Sequence, residues 1–248
     1  MKAEKPRLDT DFHSHVLPGM DDGAKDVSIS LSLLGMLKEQ GVSRVYATPH
    51  FYLFQETAPA FLDRRMSRVD LLRRAAAGLN LPVVYPGAEV CICRGLTECA
   101  RLPEMCYAGT DLLLLEIPYT GYQDWMAEEV CNLCYRYHLR PVLAHLDRYA
   151  DRLSDRQLET LLSLDDVVVQ LNNSSLSRRD VVRLAAGLLS EGYDLLFGSD
   201  THNLTNRRPD FDTANRALLK KLKPSGMADL IGRQADLFAG ARLEGEIL

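Results

Sequence analysis

His13 and His15 stand one residue apart in Asp11-Phe12-His13-Ser14-His15, at the end of the apolar-alternating run Leu8 to Phe12. That run reads as a β-strand, and in an extended chain residues two apart project to the same side. Two imidazoles together at a strand end are half of a metal site. Taken alone, such a pair is just as readily two surface histidines. The rest of the chain decides the matter, because similar residues recur at the ends of predicted strands. His50 follows Val42–Ala47, Glu89 follows Pro82–Tyr85, and Glu116 follows Leu112–Leu115. His145 follows Pro141–Ala144, and Asp200 with His202 follows Leu195–Gly198. Of the six histidines only His138, at the end of a predicted helix, lies elsewhere, and no function is assigned to it.

Glu89 and Glu116 each close an apolar strand, where an unpaired carboxylate is costly to bury. Adjacent cations remove that cost. Donors that are histidine and carboxylate without thiolate favour Mn²⁺, Fe²⁺, Zn²⁺ or Mg²⁺ over a structural thiolate zinc. They outnumber the ligands one ion needs and suit two or three ions sharing a carboxylate, the arrangement that clamps both oxygens of a phosphoryl displacement. Asp21 and Asp22 precede Gly23 in a turn after the His-x-His, and from the residues alone either one could face the cluster. Arg148, three residues past His145, and Arg207, five past His202, fall at the same mouth, where a guanidinium fork matches phosphate oxygens.

Elements able to hold these residues follow from the pattern. Helices are expected at Val27–Gln40, Pro59–Ala77, Asp124–His138, Ser154–Leu164 and Arg179–Glu191, with Pro209–Lys221 and Gly226–Phe238 closing the chain. Between them fall seven strands, the six named and Val167–Leu171, which ends at Asn172-Asn173. Alternation of this kind gives a parallel sheet with right-handed crossovers. An open doubly wound sheet gathers chemistry only near its switch point. Six ligand-bearing strand ends at one centre require closure, so a single-domain (β/α)7 barrel over residues 1–248 is the expectation.

The 248 residues are 46% hydrophobic with a net charge of −5, a balance that argues against a nucleic-acid partner. No apolar run approaches a membrane span, and the polar start Met1-Lys2-Ala3-Glu4-Lys5-Pro6 is unlike a secretory signal, so a cytoplasmic location with reduced thiols is expected for the six cysteines. Cys134-x5-Arg140 has the spacing of thiol-dependent tyrosine phosphatases. It lacks the glycine loop at a helix N-terminus that such chemistry needs, and the match is set aside.

Asp11-Phe12-His13-Ser14-His15, Asp21-Asp22-Gly23, Ala47-Thr48-Pro49-His50, Gly87-Ala88-Glu89, Glu116, Ala144-His145-Leu146-Asp147-Arg148-Tyr149 and Ser199-Asp200-Thr201-His202-Asn203 carry a further resemblance. The chain resembles the polymerase and histidinol phosphatase (PHP) superfamily of metal-dependent phosphoesterases. More narrowly, it is similar to the bacterial manganese-dependent tyrosine-protein phosphatases encoded with capsule and exopolysaccharide genes. The resemblance implies a distorted TIM-like barrel and three metals. One would be held by His13, His15, Glu89 and Asp200, a second by Glu89, Glu116 and His145, and a third by Asp22, His50 and His202. Arg148 and Arg207 would hold phosphate, a metal-bridged hydroxide would attack it, and Mn²⁺ would be the cofactor. Asp147 departs from the subgroup, which usually has Glu there. The substrate implied is phosphotyrosine on a bacterial tyrosine kinase tail. The rival readings are a small-molecule phosphomonoesterase such as histidinol-phosphate phosphatase and a non-catalytic, metal-stabilised partner of a polysaccharide-assembly kinase. Phe51, Tyr52 and Phe54 could pack a phenol ring, although the loop Phe51–Glu56 matches nothing in the subgroup.

Overall fold

The first strand, β1 (Thr10–Ser14), is buried along its whole length. In this computed structural model, which describes residues 5–240, it leads to α1 (Val27–Glu39), β2 (Arg44–Ala47), β3 (His50–Phe51) and α2 (Ala58–Ala76). Next come β4 (Val83–Pro86), β5 (Glu89–Cys91), β6 (Leu112–Glu116), α3 (Trp125–Tyr137) and β7 (Arg140–Leu143). The chain continues through α4 (Asp155–Leu162), β8 (Val168–Asn172), α5 (Arg179–Ser190), β9 (Asp194–Gly198) and α6 (Phe211–Leu237). Residues 1–4, and with them most of the polar start read against a signal, lie outside the described residues. No helix among the described residues is long and apolar enough to cross a membrane.

The strands pair in parallel as two sheets, β1-β2-β4 and β3-β5-β6-β7-β8-β9. Only Thr48-Pro49 separates β2 from β3, and only Gly87-Ala88 separates β4 from β5. Pro49 has no N–H to donate, so the ladder lapses there. Gly87 N–H to Ala47 O (2.8 Å) and Glu89 N–H to Pro49 O (3.0 Å) carry the pairing past the gap. At the other edges, Asp200 N–H donates to His13 O (2.7 Å) and His15 N–H to Thr201 O (3.0 Å), tying β9 to β1. The two sheets thus join edge to edge in a ring of seven strand lines, each where an apolar run predicts it.

Local chemistry sets the helix ends. Asp26 Oδ1 accepts the Ile29 N–H at the start of α1, and Ser154 forms a reciprocal cap with Gln157 on α4. The two closing helices expected from the sequence run as α6, broken at Lys223 (φ 64°), because Pro224 bars its predecessor from helical backbone.

Helices pack outside the ring on residues such as Leu33, Leu34, Phe61 and Leu115. A smaller cluster of Phe12, Tyr46, Tyr85, Tyr107, Leu114, Val142 and Leu196 fills the interior. The pairing of β1 with β2 slips between Asp11 and Ser14. Across that slip Phe12 joins the inner cluster while His13, the next residue, also turns inward to meet Gln170.

Candidate metal centre

All the predicted donors converge at the carboxyl ends of the strands, around Glu89. Its Oε2 lies 3.1 Å from His13 Nε2, 3.3 Å from His15 Nε2 and 3.0 Å from His50 Nδ1. Its Oε1 lies 2.8 Å from His145 Nε2, which is 3.4 Å from Glu116 Oε1. Asp200 Oδ1 is 3.5 Å from both His15 Nε2 and His202 Nδ1. Asp22 Oδ1 completes the set, 3.3 Å from His202 Nε2 and 3.5 Å from His50 Nε2.

These distances suit cations. Donors about 2.0–2.2 Å from one ion stand roughly 3 Å apart. Three groups each bring one donor atom per residue within 4.8 Å of all the others: His15, Asp22, His50 and His202; His13, His15 and Asp200; and His50, Glu89 and Glu116. Glu89 Oε2, His50 Nδ1 and His202 Nε2 are buried without a hydrogen-bond partner among the described residues, as lone pairs reserved for ions would be. The groups overlap more than the resemblance implies, since His15 and His50 each reach two of them.

Asp21 and Asp22, inseparable in the sequence, part company in the turn. Asp21 faces inward, and its carboxylate takes His15 Nδ1 (2.7 Å), Gly23 N–H (2.9 Å) and His50 N–H (3.0 Å). Burial alone would raise its pKa, but the His15 imidazole holds it well below the carboxylate range. Burial would likewise lower His15, and Asp21 together with Glu89 more than offsets that. Asp22, 64% exposed, looks onto His50, His202 and Arg207.

Three buried residues that the spacing does not reveal support the cluster. Gln170 Oε1 meets His13 Nδ1 (3.0 Å) and accepts the His145 N–H (2.6 Å). Asn172 Nδ2 donates to Asp200 Oδ2 at 3.0 Å. Asp11, raised to about 6 by burial, accepts from the N–H and hydroxyl of Ser199 and so fixes the approach to Asp200. A lone polar residue inside a buried strand is the one signal that could have found Gln170. Asp147, the departure from the subgroup, accepts the Asn172 N–H at 2.8 Å and staples the His145 turn to β8.

The backbone bends for the site at two places. His145 (φ 33°) and Asp200 (φ 51°) adopt left-handed conformations that non-glycine residues seldom take, the kind of strain found at functional positions. Glycine is required where strands close on the histidines. A Cβ on Gly198 would lie 2.4 Å from His13 Cβ, and one on Gly23 would lie 2.3 Å from His15 O.

Arg148 follows His145 on a short 3₁₀ turn, and Arg207 returns because its carbonyl accepts the His202 N–H (2.9 Å). Both guanidiniums pair with Asp200, Arg207 Nη2 at 2.8 Å. Burial alone would raise the Asp200 carboxyl, but His13, then Arg148 and His15, outweigh it and hold the group low. Both arginines and Glu116 line two clefts, of about 560 and 510 Å³.

A ring of parallel strands with imidazoles and carboxylates gathered at its carboxyl ends is an architecture for polynuclear metal chemistry. Comparison with known proteins agrees. The chain belongs to the capsular polysaccharide synthesis CpsB/CapC family, whose model matches residues 9–237. It is 25% identical over 203 residues to the tyrosine-protein phosphatase YwqE of Bacillus subtilis, covering 79% of this chain and 78% of that one. It is also 25% identical over 209 residues to the putative tyrosine-protein phosphatase CapC of Staphylococcus aureus, with 79% and 78% covered. The fold matches a crystal structure from work on YwqE of B. subtilis and CpsB of Streptococcus pneumoniae, described as unique metal-dependent tyrosine phosphatases. The TM-score is 0.73 at 23% identity, over 92% of this chain and 94% of that one.

Proposed function

We propose that this chain is a metal-dependent protein-tyrosine phosphatase acting in the cytoplasm on a bacterial tyrosine kinase of capsule or exopolysaccharide synthesis. The observation that carries the reading is Glu89, set among four imidazoles with Glu116, Asp200 and Asp22 around it and two arginines above. His13, His15, Asp22, His50, Glu89, Glu116, His145, Asp200 and His202 are the proposed ligands of two or three ions, with Mn²⁺ as the native metal. Bound there, divalent cations supply an activated water and neutralise charge that develops on the phosphoryl oxygens.

The remaining work falls to the chain. Arg148 and Arg207 grip the non-bridging oxygens and orient the phosphorus towards the centre. Asp200, shared between them, fixes the spacing of their forks. Asp21 and Gln170 hold His15 and His13 by Nδ1, which turns each Nε2 to the centre. Phenolate is a moderate leaving group, with a parent pKa of ~10, so the demand for a general acid is small.

The family's description and the names of its relatives support the substrate class. A non-catalytic partner would be free to lose donors, and this chain keeps nine in one cluster. The test is hydrolysis of a phosphotyrosyl peptide, p-nitrophenyl phosphate and histidinol phosphate, before and after chelation and on adding Mn²⁺ back. Peptide turnover that vanishes with chelator and returns with metal is expected. Turnover indifferent to chelator sinks the metal reading, and preference for histidinol phosphate sinks the protein substrate.

A further inference from the structure

We infer that Tyr52, Phe54, Tyr119 and Trp125 are specificity residues, the walls of a cleft that seats the aromatic ring of an aryl phosphate held at the centre. The inference rests on the phosphatase reading and adds what selects the substrate.

The larger cleft has His50, Glu116, Arg148 and Arg207 at its base, so it opens directly onto the candidate centre. Its volume of about 560 Å³ falls within the ~300–1,000 Å³ of small-molecule sites. One wall comes from the segment after His50. Side chains alternate along β3, so residues 50 and 52 share a side and residue 51 takes the other. Tyr52 accordingly stacks on the His50 ring (5.4 Å, 24°), and Phe54 packs on Tyr52 at 5.6 Å. Phe51 turns away into the core against Phe61 (5.0 Å), which removes it from the aromatic trio expected to meet substrate.

Further lining comes from the segment after β6, with Pro118 and Tyr119, and from Trp125 at the start of α3. The Trp125 indole is fixed at both ends. Nε1 donates to Gln123 Oε1 at 2.7 Å, and the Arg94 guanidinium lies over the ring, 4.5 Å from its centre.

Exposure points the same way. Among the described residues five large apolar side chains are exposed, and two of them, Phe54 (69%) and Tyr119 (102%), line this one cleft. Single exposed apolar residues need no explanation, but two lining one cleft that has a polar base mark a binding surface. The second cleft offers Asp147, Asp151, Arg152 and Arg178 beside its tyrosines, a lining unsuited to a bare ring. An alkyl phosphate meets the same base yet leaves the walls untouched. Ring preference therefore comes from the cleft and not from the centre.

Trp125 is the only tryptophan in the chain, so its fluorescence reports occupancy without turnover. Metal-loaded protein is titrated with phenylphosphonate and with methylphosphonate, neither of which can be hydrolysed. Phenylphosphonate is expected to perturb the Trp125 emission and to bind at least about tenfold more tightly. Phe54→Ser and Tyr119→Ser, both at exposed positions, are each expected to cut the phenyl-to-methyl affinity ratio about 3- to 10-fold. In turnover they raise KM for phosphotyrosine more than they lower kcat. Equal affinity for the two phosphonates, binding of neither, or a ratio unmoved by both substitutions overturns the inference. A protein that prefers phenylphosphonate yet hydrolyses no aryl phosphate keeps the cleft assignment and loses the phosphatase reading.

Discussion

Gln170 Oε1 sits 3.0 Å from Nδ1 of His13, a residue 157 positions away in the chain. Because the amide oxygen only accepts, Nδ1 carries a proton, and Nε2, which faces Glu89 and Asp200, is the nitrogen that can take an ion. The same oxygen takes the His145 N–H. Gln170→Leu fills the space but orients neither histidine. Metal affinity is expected to fall about 10- to 100-fold, measured by competition with a chelator, while the circular dichroism spectrum stays native. Unchanged affinity would leave Gln170 with a packing role only.

The pH dependence of stability has a definite sign. Burial alone would lower the His145 pKa, but Glu116 and Glu89 raise it from 6.5 to about 9. A histidine that holds its proton more tightly when folded stabilises fully below the unfolded value and loses that contribution as pH climbs through the folded one. Chelated protein should therefore lose stability between pH 6.5 and about 9. A cation takes the neutral ring, so metal binding strengthens across the same window. Melting curves with chelator and with Mn²⁺ should diverge as pH rises. Parallel curves would remove His145 from the ligand set.

Arg148→Ala and Arg207→Ala are each expected to lower kcat/KM by about 10²–10³-fold, the usual loss for one donor to a developing charge. Asp200 keeps the other arginine in each variant, so bound metal measured by elemental analysis should hold. Metal lost in step with activity would make the arginines structural.

Cys134→Ser should keep turnover within about twofold. Burial, reinforced by nearby Cys131, pushes the Cys134 thiol up to about 12, far from the thiolate a cysteine phosphatase needs. The residue also lies near the C-terminal end of α3, where the helix field disfavours an anion. An inactive but folded Cys134→Ser protein would overturn the metal chemistry altogether.

Gly198→Ala places a methyl against His13, where 2.4 Å is far inside contact distance. The expected cost is about 1–3 kcal/mol of stability, with His13 displaced. A lowered melting temperature together with weakened metal binding checks it, and a variant that loses neither would mean the two strands can part freely.

How far the site can be read from the chain depends on what each residue needs. Leu112–Leu115 declares a strand without reference to any partner, because both its faces are covered. Glu116 then stands out as the first charge after it. Gln170 gives no such warning. Between Val169 and Leu171 it is one polar group in a buried run, and only the closed ring supplies His13 and His145 as its partners. Asp21 and Asp22 differ by the twist of one turn, which composition does not encode, and a single short strand settles the directions of Phe51 and Tyr52. The break in α6 was written in Pro224, and the second run of strand after Pro49 was hidden by the proline itself.

The seam of the ring has a consequence in time. Asp11 and Ser199, bonded across it, are 188 residues apart, so at about 5–20 residues per second a ribosome completes the second roughly 10–40 s after the first. Through that interval a nascent chain offers an ion only scattered partial sets of donors. Under the proposed ligand set, which metal is taken up would therefore be decided after synthesis, by the finished circle, and a seated ion would also latch β1 to the strand that reaches Asp200.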